Sequence, residues 1–203
     1  MSMIRSSNIN KDDHQRSFTP FQIEFLAEDE PITIIPNFKN EELHFMSGTY
    51  GPFVPSIQLK VPLWLAITLK KKKKCRIIYP TWLNKDYLDN VFKEENENAM
   101  RFEHLPKHYI EIATMLLAVA PDDATTHNGG ANEIRGIIED LINRRQSKLS
   151  ETIISVLSAS DNIGPILINN ITMMEINRIR PSLCAGLDHL AQLSSGAEQD
   201  RQR

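Results

Sequence analysis

Apolar and polar positions follow three different rhythms along this chain, and each predicts a different kind of element. Between Val61 and Leu69 the residues are apolar almost without interruption. Pro62 suits a first helical position and Leu63, Trp64, Leu65, Ala66, Ile67 and Leu69 follow it, so the pattern predicts a helix covered on more than one side. Before it, Ile57, Leu59 and Val61 alternate with Gln58 and Lys60, and Ile32 to Ile35 is β-branched at every position, which predicts strands. Phe21 to Ala27 reads as a further strand, joined to Ile32–Ile35 by the acidic turn Glu28, Asp29 and Glu30, and Leu43 to Met46 as another. Gly48 to Pro55 is rich in turn residues.

Beyond Pro62 the period lengthens to that of helices, apart from an extended piece at Cys75 to Tyr79 closed by Pro80. Asn84 is a candidate N-cap for a helix with Tyr87, Leu88, Val91 and Phe92 on one face. Pro106 reads as the start of the next helix and Pro121 as its stop. The stretch Asp122 to Ala131, with Gly129 and Gly130, reads as a loop. Asn132 then caps the longest expected helix, in which Ile134, Ile138, Leu141, Leu149 and Ile153 recur near a 3.6 period until about Ala159. Ile166 to Met174 follows, and a last helix is expected from about Pro181 to Leu193. The fold class is therefore mainly α with a small N-terminal β domain and a bundle-like domain of about five helices. The expected division is a disordered leader over 1–20, a β domain over 21–61, a helical domain over 62–193 and a disordered tail over 194–203.

Composition narrows the functional classes. A 41% hydrophobic share over 203 residues supports a sizeable core, and the net charge of −3 argues against a generally basic nucleic-acid coat. The charge is uneven, however: no Asp or Glu occurs from Leu43 to Lys85, a span that contains Lys70, Lys71, Lys72, Lys73, Lys74 and Arg76. Such a run can hold phosphate backbones or act as a nuclear import address, while the plainer reading is a solvated helix end. Cys75 and Cys184 make no C-x-x-C pattern, which suits a reducing compartment without a thiolate metal site. No apolar run approaches the roughly 20 residues of a membrane span.

Nothing in the spacing argues for catalysis. His104 and His108 stand four apart with Pro106 between them, which spoils a shared metal-binding helix face. The pairs Glu94 and Glu95, and Asp122 and Asp123, read as solvated charge in polar segments. No glycine-rich phosphate loop, nucleophile elbow or H-E-x-x-H occurs. No cofactor is expected. The remaining signal is apolar helix surface beyond single stripes, around Leu63 to Leu69 and Met173 to Ile179, which suggests faces kept for other subunits.

Particular runs carry a resemblance. Glu24 to Glu28 (EFLAE), Ile34 to Phe38 (IIPNF), Gly51-Pro52-Phe53, Val61 to Ala66 (VPLWLA), Lys74-Cys75-Arg76, Pro80 to Leu83 and Met174 to Asn177 (MEIN) occur in an order that resembles the Psf-two family of subunits of the eukaryotic GINS complex, a DNA replication factor. The likeness spans about Phe21 to Leu193; the leader and the Asp122–Ala131 loop fall outside it. It implies a nuclear, non-catalytic scaffold in a heterotetramer with three sister subunits. It also implies partners in the minichromosome maintenance ring and its Cdc partner, with polymerase epsilon linked indirectly. On this reading Trp64, Leu65 and Trp82 pack the β unit against the helices, and Ile138, Leu141, Leu149, Leu183 and Leu187 are candidates for the partner interface. Direct contact of the lysine run with DNA is the competing reading.

Overall fold

The computed structural model describes residues 18–99, 101–124, 129–158 and 168–201. Most of the expected leader, the centre of the 122–131 loop, Ala159 and the first two residues of the Ile166–Met174 segment lie outside the described residues.

The described chain begins with a helix where a strand was expected. Helix α1 spans Pro20–Ala27. The Thr19 side chain accepts the Gln22 N–H at 3.3 Å and the Gln22 side chain accepts the Thr19 N–H at 2.8 Å, a reciprocal cap with Pro20 at the first helical position. Only Ile23 and Ala27 are buried, four apart, so the apolar run Phe21–Ala27 is spent on a helical rather than a strand period.

Strands β1 (Pro31–Pro36), β4 (Leu59–Pro62) and β5 (Cys75–Ile78) form an antiparallel sheet in the order β4-β1-β5, while β2 (Leu43–Phe45) and β3 (Gly48–Tyr50) make a separate hairpin. Ile32 pairs with Val61 and Ile34 with Ile77. The sheet thus takes its third strand from beyond the division expected after Val61. Without β5, one edge of β1 would carry unpaired backbone groups. Helix α2 (Leu63–Lys71) connects the two flanking strands and packs on both the sheet and α4, so it belongs to the join between the two parts.

The remaining helices are α3 (Lys85–Glu97), α4 (Tyr109–Val119), α5 (Gly130–Ser158) and α6 (Met173–Arg201). Asn84 caps α3 by accepting the Asp86 N–H at 3.3 Å. Pro106 does not open α4; its carbonyl accepts the Tyr109 N–H at 3.2 Å, making a turn before the helix. Helix α5 starts two residues ahead of Asn132, which lies inside its first turn. Helix α6 corrects two expectations: it runs unbroken through an exposed Pro181, and it continues through 194–201, where a disordered tail was expected. Helix α5 packs against α3, α4 and α6, and α1 lies against α4 and α6. One apolar core links Ile34, Leu63, Ile77, Leu88, Leu116 and Leu141. Among the described residues no helix is long and apolar enough to cross a membrane.

Candidate partner interface

Helix α5 carries a polar centre inside its apolar stripe. Ile134, Ile138, Leu141, Arg145 and Lys148 follow one another at spacings of four and three, so the two cations occupy positions that a core helix gives to leucine. Arg145 is fully buried and Lys148 nearly so. Arg145 donates to Glu175 of α6 at 2.7 and 3.1 Å, to the carboxylate of Glu95 on α3, and to the carbonyls of Glu103 (3.2 Å) and Asn170 (2.7 Å). Lys148 donates to Glu95 at 2.6 Å and to the Arg101 carbonyl. Both cations lie over the Phe102 ring, at 5.2 and 4.9 Å from its centroid. Tyr109 of α4 donates to Glu175 at 3.3 Å, and the Thr172 N–H donates to it at 2.9 Å. Two cations therefore face two carboxylates, and four helices are tied at one point.

Burial acts against every charge in this cluster, and the partners reverse it. Burial would raise the Glu175 carboxyl, but the hydrogen bonds and charge of Arg145 win and hold it below the usual carboxylate range. Burial likewise disfavours the Arg145 cation, yet Glu175 holds its pKa above the ordinary value. Sequence reasoning missed the cluster and took Glu95 for solvated charge; Glu95 is fully buried, while Glu94 is exposed. The available signal was two cations on an apolar stripe.

A second correction concerns Asp123. It is buried rather than solvated, pairs with Lys70 at 2.8 Å, and accepts the Ile77 N–H at 2.8 Å, fastening the end of α4 to β5. Lys70 is thereby removed from the free basic run, while Lys71 to Lys74 are exposed and Arg76 stands 3.9 Å from Asp123. Of the histidine pair, His108 is buried at the N-cap of α4 and His104 lies outside that helix. Among the described residues His108 Nδ1 and both Glu111 carboxylate oxygens are buried without a hydrogen-bond partner, and burial pushes the Glu111 carboxyl up.

The residues expected to join sheet and helices divide as follows. Leu65 is buried. Trp64 is half-buried, with its ring edge-on to Phe45 at 5.1 Å and Tyr50 at 6.4 Å, so it holds the β2–β3 hairpin. Trp82 is half-buried against the core just before α3.

The expected interface residues also separate. Ile138 and Leu141 are buried in the chain's own core, because α3, α4 and α6 already cover that side of α5, and they offer no free face; Leu149 is also buried but lies in the wall of the α5–α6 groove. Leu183 and Leu187 on α6 are half-buried. Leu183 borders an apolar groove of about 200 Å³ that also draws on Ile153, Ile168, Ile171, Ile176 and Ile179. Ile154 and Ile176 nearby are 63% and 51% exposed. A second uncovered face was not foreseen, since α1 was expected to be a strand. There Phe21 and Phe25 are 81% and 69% exposed and, with Phe18 and Leu26, border a hollow of about 340 Å³. Single exposed apolar residues are ordinary; two grouped faces of isoleucine and phenylalanine are the mark of contact surfaces.

Comparison with known proteins follows the same division of the chain. Residues 19–78 match the model of the PSF2 N-terminal domain, and residues 82–194 match the GINS complex protein helical bundle domain. The chain is 38% identical to a probable DNA replication complex GINS protein PSF2 of Drosophila melanogaster, over 85% of this chain and 82% of that protein. It is 34% identical to the DNA replication complex GINS protein PSF2 of Homo sapiens, over 87% of this chain and 92% of the relative. The corresponding protein of Schizosaccharomyces pombe is 34% identical, over 91% and 95%.

Proposed function

We propose, from the premise that this chain belongs to the PSF2 family of GINS proteins, that it works by holding partners together in the DNA replication machinery rather than by catalysis. The observation that carries this reading is the pair of apolar faces, the α5–α6 groove and the α1 phenylalanines, that the described residues leave uncovered. Obligate interfaces are large and apolar, and a monomer seldom keeps two such faces open to water. On this reading the groove receives a helix of a sister subunit within a tetramer. The assembled scaffold then joins the minichromosome maintenance ring and its Cdc partner in the nucleus and helps tie polymerase epsilon to it. Leu183 and Leu187 act at the sister interface, and Ile176 and Ile153 join them.

The test is co-expression of the chain with its three sister subunits. Ile176→Asp combined with Leu183→Asp places two charges in the groove; the helical circular dichroism of the chain should persist while co-purification of the sisters is lost. A double variant that still assembles at the wild-type ratio would refute the groove as an interface. A wild-type chain that stays a well-behaved monomer beside its sisters would refute the scaffold role.

A further inference from the structure

The lysine run remains outside that account, and its structure separates it from an ordinary solvated helix end. Lys70 is neutralised by Asp123, whereas Lys71, Lys72, Lys73 and Lys74 are all exposed, and no ion pair to them is formed among the described residues. The run is also a built turn. The Lys73 N–H bonds the Lys70 carbonyl at 2.8 Å, the Lys74 N–H bonds the Leu69 carbonyl at 2.9 Å, and Lys73 takes the left-handed conformation with φ 56°. Asn37, just past the end of β1, closes it, its side chain donating to the Lys73 carbonyl at 2.9 Å and its N–H to the Lys74 carbonyl at 2.9 Å.

Two consequences follow for what the turn can bind. Helix C-termini normally present unpaired carbonyls whose partial negative charge repels anions. Here the carbonyls of Thr68, Leu69, Lys70, Lys73 and Lys74 accept hydrogen bonds, which reduces that repulsion beside four ammonium groups. Between Thr68 and Arg76, moreover, every exposed side chain is polar or charged. A protein docking site is expected to have an apolar anchor at its centre, and this turn has none. It offers point charges in a row, the arrangement that suits a regularly charged polyanion. Both tryptophans that flank the run are packed against the core and do not present a stacking platform for bases.

We infer that the Lys71–Lys74 turn is a nucleic-acid contact that grips the phosphate backbone without reading sequence. Phosphate neutralisation releases counterions, so each lysine engaged adds roughly 0.9 to the slope of log affinity against log salt for duplex DNA and roughly 0.7 for a single strand. The experiment uses the full chain, alone or in its co-expressed complex, with fluorescent duplex and single-stranded oligonucleotides of mixed sequence. Affinity is measured from about 50 to 200 mM salt. The quadruple variant K71Q/K72Q/K73Q/K74Q leaves Lys70 and its Asp123 pair in place. It should lower affinity by about tenfold or more at low salt and flatten the duplex slope by about 2 to 4, with the unfolding temperature unchanged. The matching four-arginine variant should bind as wild type does. Unchanged affinity and slope in the glutamine variant would overturn the proposal. So would an arginine variant as weak as the glutamine one, because the defect would then lie in the turn's fold. Displacement of DNA by an equal charge of polyglutamate would overturn it in favour of an acidic polypeptide partner.

Discussion

Replacing Arg145 by Met tests the buried cluster most directly, because the remaining groups can be followed one by one. Met fills much of the volume and keeps a contact with Phe102, but it supplies no donor. Glu95 retains Lys148 at 2.6 Å and the Glu103 N–H at 2.9 Å, so its charge stays compensated. Among the described residues Glu175 keeps the Tyr109 hydroxyl and Thr172 but no cation bonded to it. One buried carboxylate thus loses its cation, a change that costs about 3–5 kcal/mol, or about 6–20 °C in unfolding temperature for a chain of this size. Urea unfolding followed by helical circular dichroism at neutral pH measures it. The pH dependence adds a sign that simple packing loss would not produce. In the wild type the Glu175 pKa is held down, so its contribution is present above the unfolded carboxylate value of about 4.3 and fades as pH falls through the lower folded value. Without Arg145, burial is the dominant influence and the folded pKa rises. The contribution is then full below the unfolded value and is lost as pH climbs through the folded one. The stability gap between wild type and variant should therefore widen from about pH 4 to pH 7. A loss below about 1 kcal/mol, or a gap independent of pH, would refute this account of the cluster.

Glu111→Gln removes a buried carboxyl that has no hydrogen-bond partner among the described residues and whose pKa burial raises; it should stabilise the fold at pH 7 by about 1–3 kcal/mol and have little effect in acid, and destabilisation at both pH values would refute the reasoning. Trp64→Ala should cost about 2 kcal/mol, below the 3–5 kcal/mol of a fully buried aromatic because Trp64 is half-exposed, with hydrogen exchange accelerated in the β2–β3 hairpin; unchanged exchange there would remove Trp64 from that role. The Cys75 thiol is buried, donates weakly to the Ala66 carbonyl at 3.8 Å, and is pushed up to about 11 by burial. In the native protein a maleimide at pH 8 should therefore modify Cys184 well before Cys75, and equal rates read by mass spectrometry would contradict this.

Several elements were fully written in the local sequence. The β-branched run at Ile32–Ile35, the Asn84 cap and the all-round apolar helix after Pro62 each follow from the few residues that form them. The α1 helix was written there too, in Thr19, Pro20 and Gln22, but its run of phenylalanine and leucine imitates a strand when the cap is overlooked. Helix α6 was divided because Pro181 is a breaker in isolation; the helix formed around it nevertheless runs from Met173 to Arg201.

The candidate sites were less legible because their defining contacts join distant parts of the chain. Arg145 meets partners 50 and 30 residues away, Asp123 meets the Ile77 N–H 46 residues away, and β5 reaches β1 across the whole of α2. Charge type and helical period can be read from neighbours, so the sequence by itself determined helices α2, α3 and α5, which of their residues lie on one stripe, and where cations are concentrated. Whether a given charge is buried and paired, or exposed and available, depends on which elements come to lie against it. That decision turned Glu95 and Asp123 into internal ties, closed Ile138 and Leu141 inside the bundle, and left Phe21, Phe25, Ile176 and the four lysines at the surface. The free energy of a charge is set by the dielectric and the partners around it, and only the tertiary structure supplies both.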